Sequence, residues 1–433
     1  MQTLKRQAGF IGAGPRRVLG ARPFRLESVP GFLGWYDARR GISQADATER
    51  VSGWAPGIGS ISSLLQATPT AQPILLPNTG VGYAWNDAVA SNTISTTTTS
   101  ITGNWTFTFD LAEDDYTPAS NITLLDKSSG NDGFKVLLLT TGVIRVAVGD
   151  GAAVTNFDST VANGKTDFAR HTFVATYVDN ATLDFTIDSV ALGTQVVVNK
   201  VLTNAAVVAT LGPWNGKLYA YSLTNGGATT YYGKTLSTVA EGATSYPDDS
   251  GKTATINQSG ATPAQIVAAG QPSLLFNGVA HFIATAAFPL NQPTTVMLAG
   301  KQVTWTLNGN IFDASQVSST LLLYQNATAN RVRLHAGVDS TEDNNWGVNT
   351  NAVVAAIFNG ASSFLGINLN AGTTSNAGAS NASGIVLGSA TGGASGFANI
   401  QAKSLAVFSS ALDTVMQDKC IRYLAREYRL SVG

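Results

Sequence analysis

The chain repeats itself once. Ala67-Thr68-Pro69 recurs 194 residues later as Ala261-Thr262-Pro263, and Gln72-Pro73-Ile74-Leu75-Leu76 recurs 199 residues later as Gln271-Pro272-Ser273-Leu274-Leu275. Upstream of these, Gly34-Trp35-Tyr36-Asp37 lines up with Thr230-Tyr231-Tyr232-Gly233, and the turn at Ser52-Gly53-Trp54 lines up with Ser245-Tyr246-Pro247. A period near 195 residues in a chain of 433 is too long for a solenoid and describes a duplicated domain. The expected organisation is a basic arm over 1–30, a first copy over 31–226 and a second over 227–433.

Both copies read as β-strands. In Trp105-Thr106-Phe107-Thr108-Phe109-Asp110 the aromatic residues alternate with polar ones, the period of a half-buried strand. Phe134–Leu139 and Val143–Val148 flank Thr140-Thr141-Gly142 as a hairpin. Phe173, Ala175 and Tyr177 alternate before Asp179-Asn180, and Leu183, Phe185 and Ile187 continue on the return strand. In the second copy Leu321–Tyr324 faces Arg331–His335, and Val353–Phe358 faces Leu365–Leu369 across Asn359-Gly360. So many short strands predict an all-β chain of two tandem jelly-roll β-sandwiches. The Gly- and Ser-rich stretch 371–396 reads as sheet-connecting loops.

One helix is expected, at the C-terminus. Ser410-Ala411-Leu412-Asp413 opens it as a capping box, and Leu412, Met416, Cys420, Leu424 and Tyr428 recur every four residues as the stripe facing the second sandwich. Cys420 lies on that stripe and reads as a small buried apolar residue. As the only cysteine of the chain, it excludes a disulfide scaffold.

Charge narrows the function classes. With 12% charged and 44% apolar residues and a net charge of −1, the chain is neither charge-disordered nor built for nucleic acid, and no apolar run reaches about 18 residues, so no membrane insertion is expected. The cations are unevenly placed. The first 26 residues hold Lys5, Arg6, Arg16, Arg17, Arg22 and Arg25 with no acid, broken by glycines and prolines. Phe10-Ile11-Gly12-Ala13-Gly14 is too short for a secretory core, so export by that route is not expected. An irregular basic arm is expected instead, with Arg16, Arg17, Arg22 and Arg25 pairing acidic groups of a neighbour.

The opening Trp35-Tyr36-Asp37-Ala38, the Val51-Ser52-Gly53-Trp54 turn and the Gln-Pro-x-Leu-Leu element resemble concanavalin A-like, laminin-G-like jelly-roll domains. So does the ending Lys403-Ser404-Leu405-Ala406-Val407-Phe408 with Leu412-Asp413 and Tyr423-Leu424-Ala425. The first copy keeps the closing strand as Gly216–Leu223 without its helix, and the second lacks the opening Asp. The resemblance spans 31–433 and implies adhesive or carbohydrate-binding modules. Tandem copies of this kind resemble bacteriophage virion proteins, tail-associated or capsid-decorating.

Chemistry finds little support. The six glutamates, Glu27, Glu49, Glu113, Glu241, Glu342 and Glu427, form no carboxylate pair of the glycosidase type. Glu113-Asp114-Asp115 and Asp248-Asp249-Ser250-Gly251 read as solvated acidic turns, with calcium the one cation worth considering and no cofactor expected. His171, His281 and His335 lie on strand-like segments without metal-ligand spacing. There is neither a Gly-x-Ser-x-Gly elbow nor a phosphate loop. Trp85, Trp214 and Trp346, near loop signals, are candidate sugar-stacking platforms. The expectation is a non-enzymatic virion protein, made in the host cytoplasm and exposed on the particle exterior. It is expected to be tail- or baseplate-associated and host-facing, and present in many copies. Its partners are then other virion proteins and a host-surface glycan. A capsid decoration protein and a free carbohydrate-binding lectin or adhesin are the alternatives.

Overall fold

Alternation of burial along each strand builds the sheets. In Trp105–Glu113 the aromatic set Trp105, Phe107 and Phe109 turns inward while Thr106, Thr108 and Asp110 stay half-exposed. A computed structural model describes residues 24–44, 50–76, 83–87, 92–113, 115–165, 169–198, 200–203, 207–225, 229–240, 243–257, 265–267, 272–314, 321–326, 328–340, 346–393 and 395–432. Their strands form four large antiparallel sheets, stacked in pairs as two jelly-roll sandwiches.

One sandwich is contiguous in sequence. Its first sheet runs in the order Val190–Val196, Thr182–Ile187, Arg170–Val178, Trp105–Glu113, Asn215–Asn225, Tyr83–Asp87 and Gln265–Val267, with Thr229–Thr235 also on Asn215–Asn225. The facing sheet runs from Val154–Asp158 through Ile144–Asp150, Asp132–Leu138, Ile122–Ser129, Thr210–Leu211, Thr93–Ser95 and Thr253–Asn257 to Ser245–Pro247. Between them Trp105 stacks on Phe134 at 4.2 Å and on Tyr177 at 5.5 Å, pairs that contribute about 1 kcal/mol each beyond their buried area. The return from Thr182–Ile187 to Val190–Val196 takes only Asp188 and Ser189, both at positive φ (51° and 66°), the tight turn that matches strand twist.

The other sandwich takes its strands from both ends of the chain. Phe32–Asp37 pairs with Asn399–Phe408, Phe32 opposite Phe408 and Asp37 opposite Ser404. On the same side of that last strand, Ser273–Asn277 continues the edge, and Ile74–Leu76 pairs with it in turn. In the facing sheet Val51–Trp54 joins Leu64–Leu65, which joins Ile283–Thr285. The core of this sandwich joins Tyr36, Trp54 and Leu64 to Leu298, Phe312, Phe358 and Val407.

The boundary expected at 226/227 is therefore not where the sandwiches divide. The two Gln-Pro-x-Leu-Leu elements, expected as equivalent positions of two copies, are neighbouring strands of one sheet, Ile74 opposite Leu275 and Leu76 opposite Ser273, and the other opening segments each lie in the sandwich of the opposite body. Residues 32–76 complete the sandwich of the second copy's body, and residues 229–267 complete that of the first. The result is an inner sandwich, 83–267, inserted into an outer one made of 24–76 and 272–432. The strands flanking the two crossings pair with each other on both sides, Leu76 with Ser273 and Tyr83 with Val267. Ile74, Leu76, Leu275 and Val303 of the outer sandwich pack with Tyr83, Ala112 and Tyr219 of the inner one.

The remaining elements follow expectation closely. The hairpins Asp132–Leu138/Ile144–Asp150, Leu322–Gln325/Val332–His335 and Asn351–Phe358/Ser363–Ile367 all form, the last through a turn of 3-10 helix at Gly360–Ser362. The helix spans Thr414–Tyr428. Its cap is Asp413, whose side chain accepts from Met416 N at 2.8 Å, rather than a Ser410 box. Cys420, Ile421, Leu424 and Tyr428 bury against Met297, Val353, Ala355 and Phe408 on the outer face of the outer sandwich. Leu26 and Val29 enter the same cluster, so residues 24–30 belong to the packed fold and not to an arm. The rest of the expected arm lies outside the described residues.

Candidate functional site

The half of the outer sheet under the helix gathers the polar groups of the opening motif. Asp37, fully buried at the end of its strand, accepts from Arg39 Nε at 2.9 Å, Arg40 Nε at 2.9 Å and Tyr428 Oη at 2.8 Å. Burial pushes the Asp37 carboxyl up, but the hydrogen bonds from Arg39, Arg40 and Tyr428 outweigh it and hold the group below its ordinary value. Arg39 also reaches Glu427 Oε2 at 3.1 Å and lies over the Tyr428 ring at 4.7 Å, while Trp35 Nε1 donates to Ser404 Oγ at 3.0 Å. The Trp-Tyr-Asp opening is thus a clamp that fastens the first strand to the last helix.

The residues before this clamp reach the helix surface. Phe24 meets Tyr423 edge-on at 5.8 Å, and Tyr423 in turn meets Trp35 at 5.9 Å. Arg25 is exposed and contacts Glu27 at 3.5 Å. Lys419, Arg422 and Arg426 are exposed on the adjacent helix face. Of the expected partner-binding cations, the structure places Arg25 here, and Arg16, Arg17 and Arg22 lie outside the described residues. Sequence reasoning passed over Lys419, Arg422 and Arg426, although their spacing by three and four residues on a helix was the available signal.

Two of the three expected aromatic platforms are not on the surface. Trp214 and Trp346 are completely buried, with indole N–H groups donating to Gly216 O at 3.2 Å and Thr350 O at 3.0 Å. Neither ring can stack on a sugar, because a loop signal in sequence does not say which way a side chain turns. Trp85 lies on the strand Tyr83–Asp87, opposite Lys217 and Gln265, and its side chain is outside the described residues. What the inner sandwich does present is threonine hydroxyls and a carboxylate. Thr224, Thr106, Thr176 and Asp184 are successive cross-strand neighbours, half-exposed on the outward face of its first sheet.

The acidic turns and histidines have structural partners. Glu113 is buried at a strand end and not solvated, Asp114 is outside the described residues, and Asp115 Oδ1 accepts from Thr117 N at 2.8 Å. Asp248 Oδ1 closes its turn by accepting from Ser250 N at 2.9 Å and Lys252 N at 2.8 Å. His171 Nδ1 lies 2.6 Å from Asp188 Oδ2, and His335 Nδ1 lies 2.8 Å from Asp339 Oδ1. Against burial, Lys165, the Thr172 amide and His171 bring Asp188 down to about 2.

His281 is buried, in a loop and not on a strand. Burial, and then the Arg50 guanidinium 3.4 Å away, bring it down to about 4. Asp313 is a buried carboxyl that burial pushes up to about 6. Its oxygens accept from Ala314 N at 2.6 Å and Thr391 N at 2.9 Å, which pins the Thr391–Gly393 loop. Among the described residues no group of three His, Cys, Asp or Glu could hold a metal ion. No described helix is long and apolar enough to cross a membrane.

No family model and no curated protein matches the chain. Among solved structures it is similar to domains LG4–5 of the mouse laminin α1 chain, at 11% identity over 78% of this chain and 92% of that one, with a TM-score of 0.28. It is also similar to the LG1–3 region of the laminin α2 chain, at 14% identity over 76% and 62%, with a TM-score of 0.29. The binding domain of botulinum neurotoxin serotype D, in complex with N-acetylneuraminic acid, is 6% identical over 88% and 98%, with a TM-score of 0.23. The fold rests on the strand pairing described above and not on these likenesses.

Proposed function

We propose that the chain is a non-enzymatic structural protein of a bacteriophage particle, tail- or baseplate-associated, anchored at its basic N-terminal end and presenting its sandwiches to the host surface. The observation that carries this reading is the division of one sheet face. The strand Asn399–Phe408 packs under the helix and Leu26 at its 404–408 half, while its 399–402 half pairs with the strand that leads to the inner sandwich. Phe24, Leu26 and Val29, which follow the basic segment in sequence, pack at the first half, and the strand Ser273–Asn277 beside the crossing to the inner sandwich pairs at the second. In this reading anchoring and display use different ends of one sheet.

Two further features support it. The single thiol is buried, so the fold needs no oxidising compartment and suits assembly in a reducing cytosol. The hydroxyl-rich outward face of the inner sandwich offers donors and acceptors to a surface glycan without an aromatic platform, so attachment would rest on many weak contacts multiplied over copies.

The test removes residues 1–23 and keeps Phe24, Leu26 and Val29 in place. The shortened chain should melt with the full-length protein yet fail to enter particles. Incorporation at the full-length level would overturn the reading.

A further inference from the structure

The helix has a second face that the fold does not use. Phe24, Lys419, Arg422, Tyr423 and Arg426 line a surface cavity of about 290 Å³. Its floor is aromatic, with Phe24 edge-on to Tyr423 at 5.8 Å, and its rim is cationic. Arg426 lies over the Tyr423 ring at 5.4 Å and stands 3.7 Å from Glu427, a carboxylate that Arg39 already holds at 3.1 Å. Of the other acids nearby, Glu27 contacts Arg25, and Asp418, next to Lys419 and four residues before Arg422 on the helix, makes no ion pair with either. Lys419 and Arg422 make no ion pair among the described residues. Three cations converging on an aromatic floor leave a positive, concave and partly apolar site, and like charges this close are retained at a cost unless an anion arrives.

We propose that this cavity docks an acidic segment of a protein partner, with Lys419 and Arg422 pairing its carboxylates and the Phe24–Tyr423 floor seating one apolar side chain. Charge selects the occupant. The chain's own first 23 residues carry five cations and no acid, so they offer this site no carboxylate. A nucleic acid would call for a track of cations along a surface, whereas these three converge on one cavity beside an apolar floor, which suits a peptide better than a phosphate backbone. The inference rests on the anchoring reading above, because it places part of the anchor on the folded helix.

The probe is a fluorescein-labelled decapeptide of glutamates with one central phenylalanine, titrated at low salt against the full-length chain. It should bind, and the double variant Lys419→Glu/Arg422→Glu should weaken it by about tenfold or more, since two pairs are lost and two repulsions gained. Both positions are exposed, and circular dichroism and melting of that variant should match the parent. The variant Arg16→Ser/Arg17→Ser/Arg22→Ser should keep the peptide affinity within about threefold, as those residues lie outside the cavity.

Absence of binding, equal binding by the helix variant, or tighter binding of an oligothymidylate of equal charge through the same two residues would overturn the site. If the arm variant stays out of particles while the helix variant binds peptide normally, the anchoring reading stands and this inference fails. If the helix variant loses the peptide while both variants enter particles, the cavity stands and the anchoring reading fails.

Discussion

Tyr428 donates from its hydroxyl to Asp37 Oδ1 at 2.8 Å, across 391 residues of chain. The bond joins the first long strand of the outer sandwich to the last turn of its helix, and both groups are buried. Tyr428→Phe should lower the stability of the outer sandwich by about 1 kcal/mol, and Asp37→Asn by about 2–3 kcal/mol, since the latter also strips a charged partner from Arg39 and Arg40. Denaturant titration checks this. The Asp37 carboxyl is held below its ordinary value, so its contribution is present above about pH 4 and lost as the pH falls further.

The exchanged openings predict which fragments fold. Residues 83–267 contain every strand of the inner sandwich, and their ends are adjacent because Tyr83 pairs with Val267. This fragment should be monomeric, β-rich and cooperatively unfolded. A fragment cut at the repeat, 31–226, should not be, because it joins an outer opening to an inner body and leaves both unpaired. Circular dichroism melting of the two fragments decides the matter.

His281 and Asp313 set opposing pH dependences in the outer core. His281 is brought down from 6.5 to about 4, so its contribution to stability is lost as the pH falls from 6.5 towards 4. Asp313 is pushed up from 3.8 to about 6, so its contribution is lost as the pH rises from 3.8 towards 6. Each slope is up to about 1.4 kcal/mol per pH unit, and between pH 4 and 6 they oppose each other. Unfolding midpoints of the parent should be nearly flat there. Asp313→Asn should become less stable on acidification, and His281→Leu more stable; parallel slopes in all three would refute the pairing.

Burial pushes the Cys420 thiol up to about 12, and no disulfide competes for it. A thiol reagent at pH 8 should therefore modify the protein only as fast as the outer sandwich opens. Destabilising Asp37→Asn should accelerate labelling, whereas a core substitution in the inner sandwich such as Trp105→Ala, costing about 3–5 kcal/mol there, should leave it nearly unchanged.

Local features were legible in the residues. The alternation of Trp105, Phe107 and Phe109, the four-residue stripe of Cys420, Leu424 and Tyr428, and the cation spacing of Lys419, Arg422 and Arg426 each specify an element and its buried or exposed face. The site was less legible: Trp214 and Trp346 carry loop signals yet turn inward, and Asp37 becomes a clamp only because Tyr428 and two arginines meet it.

By itself the sequence determined that this protein is built of β-strands in two similar units closed by one helix, because strand and helix periods are written within a few residues. Only the tertiary structure decided which opening completes which body. Period-2 patterning says which face of a strand is buried but not which partner it meets, and two copies of one domain offer each opening segment two similar edges. That choice is made by packing across hundreds of residues, where Phe32 finds Phe408 and Tyr83 finds Val267.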